Sequence, residues 1–265
     1  MGIPIYQVDS FTDEPFKGNP AAVCLLDRPA GERWMQSVAM EMNLSETAFA
    51  QFQSDGHYAL RWFTPTVEVA LCGHATLAAA HVLWETAALA PDDRFHFYTA
   101  SGLLTAVRAA DRIELDFPAV SARAVSPPPG LLDALGVAAR FVGKTRFDYL
   151  VEVPDARTVR GAAPDFARLK RLGVRGVMIT AASDEPTFDF VSRFFAPGAG
   201  IDEDPVTGSA HCALAPFWRD RLGRNDLTGY QASARGGVVY CRTNGDRVLL
   251  SGRAVTVLCG TLTLA

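Results

Sequence analysis

The sequence contains neither long apolar runs nor concentrated charge. None of its apolar stretches reaches the roughly 18 residues that can span a bilayer, and its opening residues, MGIPIYQVDSF, show no charged leader or apolar signal core. A formal net charge of -4 without any basic run does not fit the electrostatic pattern of nucleic-acid binding. These absences predict a cytoplasmic protein that binds neither membranes nor nucleic acids.

The sequence has few cysteines, and they are widely spaced. There are five cysteines, an odd number, and no two of them form a C-x-x-C pair. In a chain without a signal peptide, this usage predicts reduced, buried thiols and no disulfide framework. The five are Cys24, Cys72, Cys212, Cys241 and Cys259.

Two common catalytic motifs are missing as well. Ser209, His74 and Asp204 are the residue types of a hydrolase triad, but the G-x-S-x-G sequence of a nucleophile elbow does not occur. The segment GVAARFVGKT is similar to a phosphate-binding loop, yet Ala138 stands where that loop requires glycine. We therefore exclude hydrolysis at Ser209 and nucleotide binding at this segment.

The composition is that of a globular protein of about two domains. The chain has 265 residues, of which 49% are apolar and 20% charged. Short apolar runs bounded by turn residues predict many strands. An amphipathic helix has Trp34, Val38 and Met42 on one face, and a second helix, from Gly73 to Glu85, is apolar on nearly every side. A helix of the second kind must be enclosed by other elements.

One pattern of residues occurs twice, about 130 residues apart. RWFTP begins at Arg61 and is followed by GHATLAAAHVLW from Gly73, and RFFAP begins at Arg193 and is followed by GSAHCALAPFW from Gly208. Such a repeat predicts an α+β protein with two pseudo-symmetric lobes. In each lobe, a mostly antiparallel sheet or barrel would wrap around one central helix.

The proline-rich stretch 117–130 is the predicted linker between these lobes. We expect an N-terminal lobe over residues 1–119 with a central helix over 73–85, and a C-terminal lobe over 120–265 with a central helix over 208–222. The last strand, within 255–265, could complete the sheet of either lobe. Pro216 predicts a kink or an early end in the second central helix.

Both central helices are predicted to start at a glycine that follows a polar loop. The N-terminus of a helix presents unpaired backbone N–H groups and the positive end of the helix dipole, so that it attracts anions. If Gly73 and Gly208 face one another across a cleft between the lobes, this cleft suits a small carboxylate. The alternative is that the two glycines merely cap their helices.

Candidate acid/base residues stand near these helix starts. Glu46, in NLSETAF, lies where an amphipathic helix gives way to an apolar strand, and a poorly solvated carboxylate there suits general acid/base catalysis. His74 begins the first central helix, while Asp204 and Ser209 flank the start of the second. Taken alone, Glu46 could also be a capping partner or a solvated strand end, and His74 a core or capping histidine.

Five segments together carry a resemblance to a known family. Between residue 8 and about residue 212 they are, in order, VDSFTDEPFKGNPAAV, MNLSETAF, RWFTP, LCGHATLAAAHVL and EDPVTGSAHC. As a set they resemble the PhzF-type isomerases, which are relatives of diaminopimelate epimerase. The resemblance implies the diaminopimelate epimerase-like fold, a site between the two lobes, a homodimer, and catalysis without a cofactor or metal.

The same resemblance implies roles for individual residues. Glu46, of the SET motif, is the general acid/base that moves the proton, while His74 of GH and Asp204 of DP orient the substrate and hold its protonation state. The implied substrate-binding residues are Asn19, Gly73, Gly208 and Ser209. The expected reaction is a proton shift within a small unsaturated cyclic amino or hydroxy acid. Dihydro-hydroxyanthranilate is the best-known substrate of the family.

Three alternatives remain beside this hypothesis. A small-carboxylate binding protein, or an epimerase of another small acid, could keep the same cleft. A two-thiol epimerase would need a second cysteine to act with Cys72, but the second half of the sequence offers Asp204 there. Cys72, His74, His211 and Cys212 have the residue types of zinc ligands, but their spacings are tighter than zinc sites use, and we expect no metal.

Overall fold

The structure is a computed structural model that describes residues 2–53, 56–86 and 94–263. The chain divides into two compact units, one made of Met1–Asp116 with Ser251–Ala265 and the other of Phe117–Leu250. The boundary between them falls at the start of the stretch that the sequence indicates as a linker. The closing segment belongs to the first unit, which is one of the two places that the sequence allows for it.

The first unit has two helices within the described residues, α1 (Glu32–Met42) and α2 (Gly73–Thr86). Its strands are β1 (Ile3–Ser10), β2 (Asn19–Leu26), β3 (Glu46–Phe52), β4 (Tyr58–Phe63), β5 (Glu68–Val69), β6 (Arg94–Thr99), β7 (Gly102–Ala109), β8 (Arg112–Pro118) and β18 (Ala254–Leu262). α2 packs against β1, β2, β3, β7 and β18, and most of its side chains are buried. The all-round apolar pattern of this helix therefore reflects its enclosure by the sheet.

The second unit contains α3 (Leu131–Leu135), α4 (Ala156–Gly161), α5 (Phe166–Arg171), a short 3₁₀ helix (Pro197–Ala199) and α6 (Gly208–Leu222). Its strands are β9 (Arg123–Ala124), β10 (Phe141–Lys144), β11 (Asp148–Glu152), β12 (Gly176–Ala182), β13 (Phe190–Ala196), β14 (Ile201–Asp204), β15 (Asp226–Gln231), β16 (Gly237–Asn244) and β17 (Arg247–Gly252). α6 packs against β15 and β16. Across the described part of the chain, every helix is too short or too polar to cross a bilayer.

Strand pairing follows the same scheme in both units. In the first, β1 pairs with β2 antiparallel, β2 with β3 parallel, β3 with β4 antiparallel, and β4 with β6 parallel. In the second, β10 pairs with β11 antiparallel, β11 with β12 parallel, β12 with β13 antiparallel, and β13 with β15 parallel. The two units thus share one topology, in which β2, β3 and α2 correspond to β11, β12 and α6.

Two short helices, α4 and α5, are elements that the sequence pattern does not predict. Each has six residues, which is too short for a helical period to be visible. Each follows an aspartate, Asp155 or Asp165, whose carboxylate accepts a hydrogen bond from the backbone N–H three residues later. An aspartate at the N-cap is therefore the local signal by which these helices could be found.

α6 corrects one expectation, because Pro216 does not end this helix early. The helix continues to Leu222 and stops at Gly223, which has a left-handed φ of 67°. Proline cannot donate a hydrogen bond to the carbonyl four residues before it. That carbonyl, of Cys212, instead accepts a hydrogen bond of 3.0 Å from the N–H of Val120. A residue of the linker stretch thus replaces the missing helical hydrogen bond.

The turn that leads into β2 depends on Gly18. This residue has a left-handed φ of +61°, and a Cβ atom added to it would lie 2.1 Å from the carbonyl oxygen of Ser10. The backbone can therefore pass this point only without a side chain. The next residue is Asn19, the first residue of β2.

We predict that Gly18→Ala lowers the free energy of unfolding by about 2–5 kcal/mol, as the sum of left-handed strain and a backbone clash. Gly245→Ala is the matched control, because Gly245 has a φ of +60° and open space around its Cβ position. In this control, the free energy of unfolding should fall by only about 1–2 kcal/mol. Urea unfolding of both variants measures the difference. Equal losses would show that the clash with Ser10 is relieved at no cost.

Candidate functional site

In the first unit, three strand ends and one helix start meet. Ser10, the last residue of β1, is paired with Asn19, the first residue of β2. β2 runs parallel to β3, whose first residue is Glu46. α2 begins at Gly73, and Ser10 Oγ donates a hydrogen bond of 2.8 Å to the carbonyl of His74. This bond fixes the first turn of α2 against the strand ends.

Glu46 and His74 form a nearly buried ion pair. His74 Nε2 lies 3.1 Å from Glu46 Oε2, and the two side chains are 6% and 15% exposed. The two atoms are at ion-pairing distance without the alignment of a hydrogen bond. On the other side of the ring, the amide nitrogen of Asn19 lies 3.3 Å from His74 Nδ1. Asn19, Glu46 and His74 thus form one cluster, which we call the first-unit cluster.

The groups around His74 favour its protonated form. Burial by itself lowers the pKa of His74, but the neighbouring Cys72 and Glu46 outweigh burial and hold this pKa well above its usual value. Burial also raises the pKa of the Cys72 thiol. The direction of the His74 shift favours the protonated form of its imidazole.

Cys72 adds a thiol to this cluster, so that the cluster contains three types of side chain that can bind a metal ion. Among the described residues, Glu46, Cys72 and His74 are the group of possible metal ligands, with ligand atoms within 4.8 Å of one another. Cys72 Sγ lies 3.6 Å from His74 Nδ1, whereas Glu46 faces Nε2. The thiol and the carboxylate therefore face opposite nitrogens of one imidazole ring.

In the second unit, a buried glutamine organises the loop that precedes α6. The amide oxygen of Gln231 accepts a hydrogen bond of 2.9 Å from the Thr207 N–H, and its amide nitrogen donates one of 2.7 Å to the carbonyl of Asp204. The hydroxyl of Thr207 donates to the Asp204 carboxylate at 2.6 Å. Thr207 is the N-cap residue of α6, but its side chain makes no capping hydrogen bond. The first turn of α6 is therefore suited to an anion.

Arg175 lies at this helix start although the sequence does not single it out. Its guanidinium donates a hydrogen bond of 3.1 Å to Ser209 Oγ, the second residue of α6, and one of 2.9 Å from Nε to Asp148 Oδ1. Asp148 and Ser209 are 27 and 34 residues away from Arg175 in the chain. Since no local pattern links residues at such separations, only the fold identifies them as neighbours. We call Asp148, Arg175 and Ser209 the second-unit cluster.

A family model for phenazine biosynthesis-like proteins, PhzC-PhzF, matches residues 8–260. The chain belongs to this family. An uncharacterized isomerase of Pseudomonas aeruginosa is similar to it, with 52% identity over 267 residues, covering 100% of both chains. The family resemblance of the motifs in the sequence is thus confirmed over nearly the whole length.

Solved structures support the PhzF fold in the same way. The crystal structure of a PhzF-family phenazine biosynthesis protein of Enterococcus faecalis has a TM-score of 0.95 and 43% identity, covering 100% of both chains. A hydroxyproline epimerase of Agrobacterium vitis, with bound trans-4-hydroxy-L-proline, has a TM-score of 0.62 at 12% identity, covering 98% of this chain and 92% of the other. The predicted diaminopimelate epimerase-like fold is therefore confirmed.

The predicted site residues fall into one group in each unit. Glu46, His74 and Asn19 are within contact distance of one another. Asp204 and Ser209 each lie at the start of α6, held by Thr207 and Arg175 respectively. A cavity of about 260 Å³, lined by His81, Trp84, Arg108 and Arg253 among others, contains none of the predicted site residues.

His211 and Cys212, the remaining zinc candidates, are buried within α6. The Nδ1 atom of His211 lies 2.9 Å from the carbonyl of Thr207, one turn earlier in the helix. Burial lowers the pKa of His211 to about 4, although the hydrogen bond with Thr207 acts in the opposite direction. His211 is thus a neutral core residue that helps to hold the loop before α6.

We predict that His211 makes the protein less stable as the pH falls from about 6.5 to about 4. In the unfolded chain this histidine binds a proton near pH 6.5, whereas in the folded chain it binds one only near pH 4. Protons therefore favour the unfolded state in this window, by about 3 kcal/mol over the full range. Unfolding free energies at several pH values should show this decrease, and His211→Asn should remove it. An imidazole NMR signal of His211 that titrates near pH 6.5 would contradict the assignment.

Proposed function

We propose that this chain is an isomerase that moves a proton within a small unsaturated cyclic amino or hydroxy acid, with Glu46 as the general acid/base. The observation that carries the proposal is the nearly buried ion pair between Glu46 and His74. The family supports the reaction class, since the Pseudomonas aeruginosa relative bears the name of an isomerase. A carboxylate that water scarcely reaches is able to take a proton from carbon and return it elsewhere without losing it to solvent.

His74 has a separate task in this proposal. Because Cys72 and Glu46 raise the pKa of His74, its protonated ring is proposed to stabilise the negative charge that develops on the substrate when its proton leaves. The Asn19 amide lies 3.3 Å from the opposite ring nitrogen, and in this proposal it turns its oxygen to that nitrogen, because a protonated ring donates from both nitrogens. One carboxyl group alternating between base and acid is sufficient for a proton shift, and we propose that no cofactor or metal takes part.

The start of α6 is proposed to bind the carboxylate of the substrate. The backbone N–H groups of the first turn, at Gly208 and Ser209, carry no side-chain cap and favour an anion. Asp204, held by the hydroxyl of Thr207, is proposed to bind a polar group of the substrate, and the backbone of Gly73 to add a further contact. A homodimer and a cytoplasmic location stay predictions of the sequence.

A second candidate function is a small-carboxylate binding protein. The uncapped start of α6 favours this function by itself, since it attracts anions without doing any chemistry. The two functions differ in what Glu46 must do. An isomerase needs its carboxylate for proton transfer, whereas a binding protein does not.

We predict that Glu46→Gln lowers turnover of dihydro-hydroxyanthranilate at least about a hundredfold, because an amide cannot exchange the proton. NMR spectra that separate the signals of the substrate from those of its isomer follow the reaction. Glu68→Gln is the matched control, because Glu68 is a glutamate of the same unit whose carboxylate pairs with Arg61 at the surface. Turnover by Glu46→Gln at the wild-type rate would exclude the acid/base role. Binding of the acid by the wild type without any isomerisation would favour the binding protein.

We also predict that Cys72→Ser retains turnover within about tenfold. The Cys72 thiol is buried, its pKa is raised by burial, and a protonated thiol is a poor base. A two-thiol epimerase would lose its activity in this variant, because a serine hydroxyl cannot replace a thiolate as the base. Kinetic measurements on the same acid, with circular dichroism as a check of folding, separate the two mechanisms.

A further inference from the structure

The common topology of the two units places a polar cluster at the same position in each. In the first unit, Asn19 is the first residue of β2, Glu46 the first of β3, and His74 the second of α2. In the second unit, β11, β12 and α6 correspond to these elements. Asp148 is the first residue of β11 and Ser209 the second of α6. Arg175 directly precedes Gly176, the first residue of β12.

In each cluster, one residue contacts the other two. In the first unit, the residue at the helix start contacts both strand residues, at 3.3 Å for Asn19 and 3.1 Å for Glu46. In the second unit, Arg175 connects the other two residues, at 2.9 Å to Asp148 and 3.1 Å to Ser209. Arg175 thus lies one residue before the position in β12 that corresponds to Glu46 in β3, and it carries the opposite charge.

Arg175 is held firmly in this place. Its guanidinium donates to both oxygens of the Asp148 carboxylate, and the Asp148 side chain is only 3% exposed. The rings of Phe147 and Phe194 lie 5.3 and 5.7 Å from the guanidinium carbon, within the range of cation–π attraction. Asp148 itself is fixed by Thr145, whose hydroxyl accepts a hydrogen bond of 2.9 Å from the Asp148 N–H. The arginine is therefore oriented before any ligand arrives.

A cation in this position is electrostatically unusual. The N-terminus of a helix carries a partial positive charge, which favours anions and disfavours cations nearby. Asp148 neutralises the charge of Arg175. The side chain of the N-cap residue Thr207, however, accepts no hydrogen bond from the N–H groups in the first turn of α6. The side chain of Arg175 remains 40% exposed, so that its guanidinium is accessible. An anion bound to Ser209 and Arg175 would accept hydrogen bonds both from the N–H groups of the first turn of α6 and from the guanidinium of Arg175.

We propose that Arg175 is a specificity-determining residue that, together with Ser209, selects substrates with a free carboxylate over neutral analogues. This inference rests on the proposed function, in which the start of α6 binds the substrate. The new element is that all substrates share a free carboxylate, and that the guanidinium of Arg175, positioned by Asp148, recognises this group.

The test compares an acid with its neutral amide. Anthranilate and anthranilamide have the same ring and amine and differ only in the carboxylate, so that their ratio of Kd values measures charge recognition. We expect Arg175→Gln to weaken binding of anthranilate by about tenfold to hundredfold and to leave binding of anthranilamide within about twofold. Arg175→Lys should lie between, because it keeps the charge but loses the planar fork. Isothermal titration calorimetry measures both ligands.

Two further variants separate recognition from folding. Arg175→Gln leaves the Asp148 carboxylate buried without its partner, which destabilises the fold, so the double variant Asp148→Asn with Arg175→Gln removes both charges at once. It should fold and show the same loss of preference for the acid. Arg160→Gln is the matched control, because Arg160 also pairs with two carboxylates in this unit, Asp184 and Glu185, but not with Ser209. It should bind anthranilate as the wild type does.

The outcomes distinguish this inference from the proposed function. If Arg175→Gln binds acid and amide as the wild type does, or weakens both equally, Arg175 is a structural residue and the inference is wrong, whatever Glu46→Gln shows. Absence of saturable anthranilate binding by the wild type overturns it as well. If the preference for the acid is lost in Arg175→Gln while Glu46→Gln keeps full turnover, the carboxylate site stands and the acid/base proposal fails.

Discussion

A helix that is apolar on all sides can reach water only at its ends, and this constraint determines the design of both units. α2 and α6 are buried along most of their length, so the sheet around each helix leaves its N-terminus as a place where polar groups can gather. The unpaired N–H groups there must be satisfied by side chains, water or a ligand. Strand ends that surround the same point, such as Asn19 and Glu46, supply the polar side chains. The polar cluster at each helix start thus follows from the burial of the helix.

Charges in such places need partners that are equally well fixed. Glu46 and His74 are nearly buried together, and Asp148 and Arg175 share one partly buried ion pair. Removing one partner from such a pair leaves the other uncompensated, which costs more than the pair contributes. The chemistry of each cluster and the stability of its unit are therefore coupled. Comparisons between ligands, rather than loss of activity alone, are needed to separate the two.

The sequence predicts the features that depend on local periodicity. The apolar pattern from Gly73 marks an enclosed helix, and Glu46 stands out because a carboxylate opens an apolar strand. Features that depend on contacts between residues far apart in the chain cannot be predicted in this way. From the sequence, Pro216 indicates a kink or an early end of the helix. The helix continues because the N–H of Val120, far away in the chain, donates to the carbonyl that Pro216 leaves unpaired. Arg175 looks like an ordinary surface cation for the same reason, because Asp148 and Ser209 become its neighbours only through the pairing of β11 with β12 and the burial of α6.

The repeat explains how one scaffold can hold two opposite kinds of chemistry. Equivalent positions keep their geometry because the strand pairing and the enclosed helix fix it, whereas the side chains there are free to diverge. At the start of β3 the chain has a carboxylate, whose neighbour His74 is a titratable group. Just before β12 it has a guanidinium, which stays charged at every physiological pH and cannot exchange protons with a substrate. In the proposed function, Glu46 moves a proton and Arg175 holds a negative charge, and these roles need different side chains. Because each unit provides its own cluster, neither role has to be met by a compromise at a single residue.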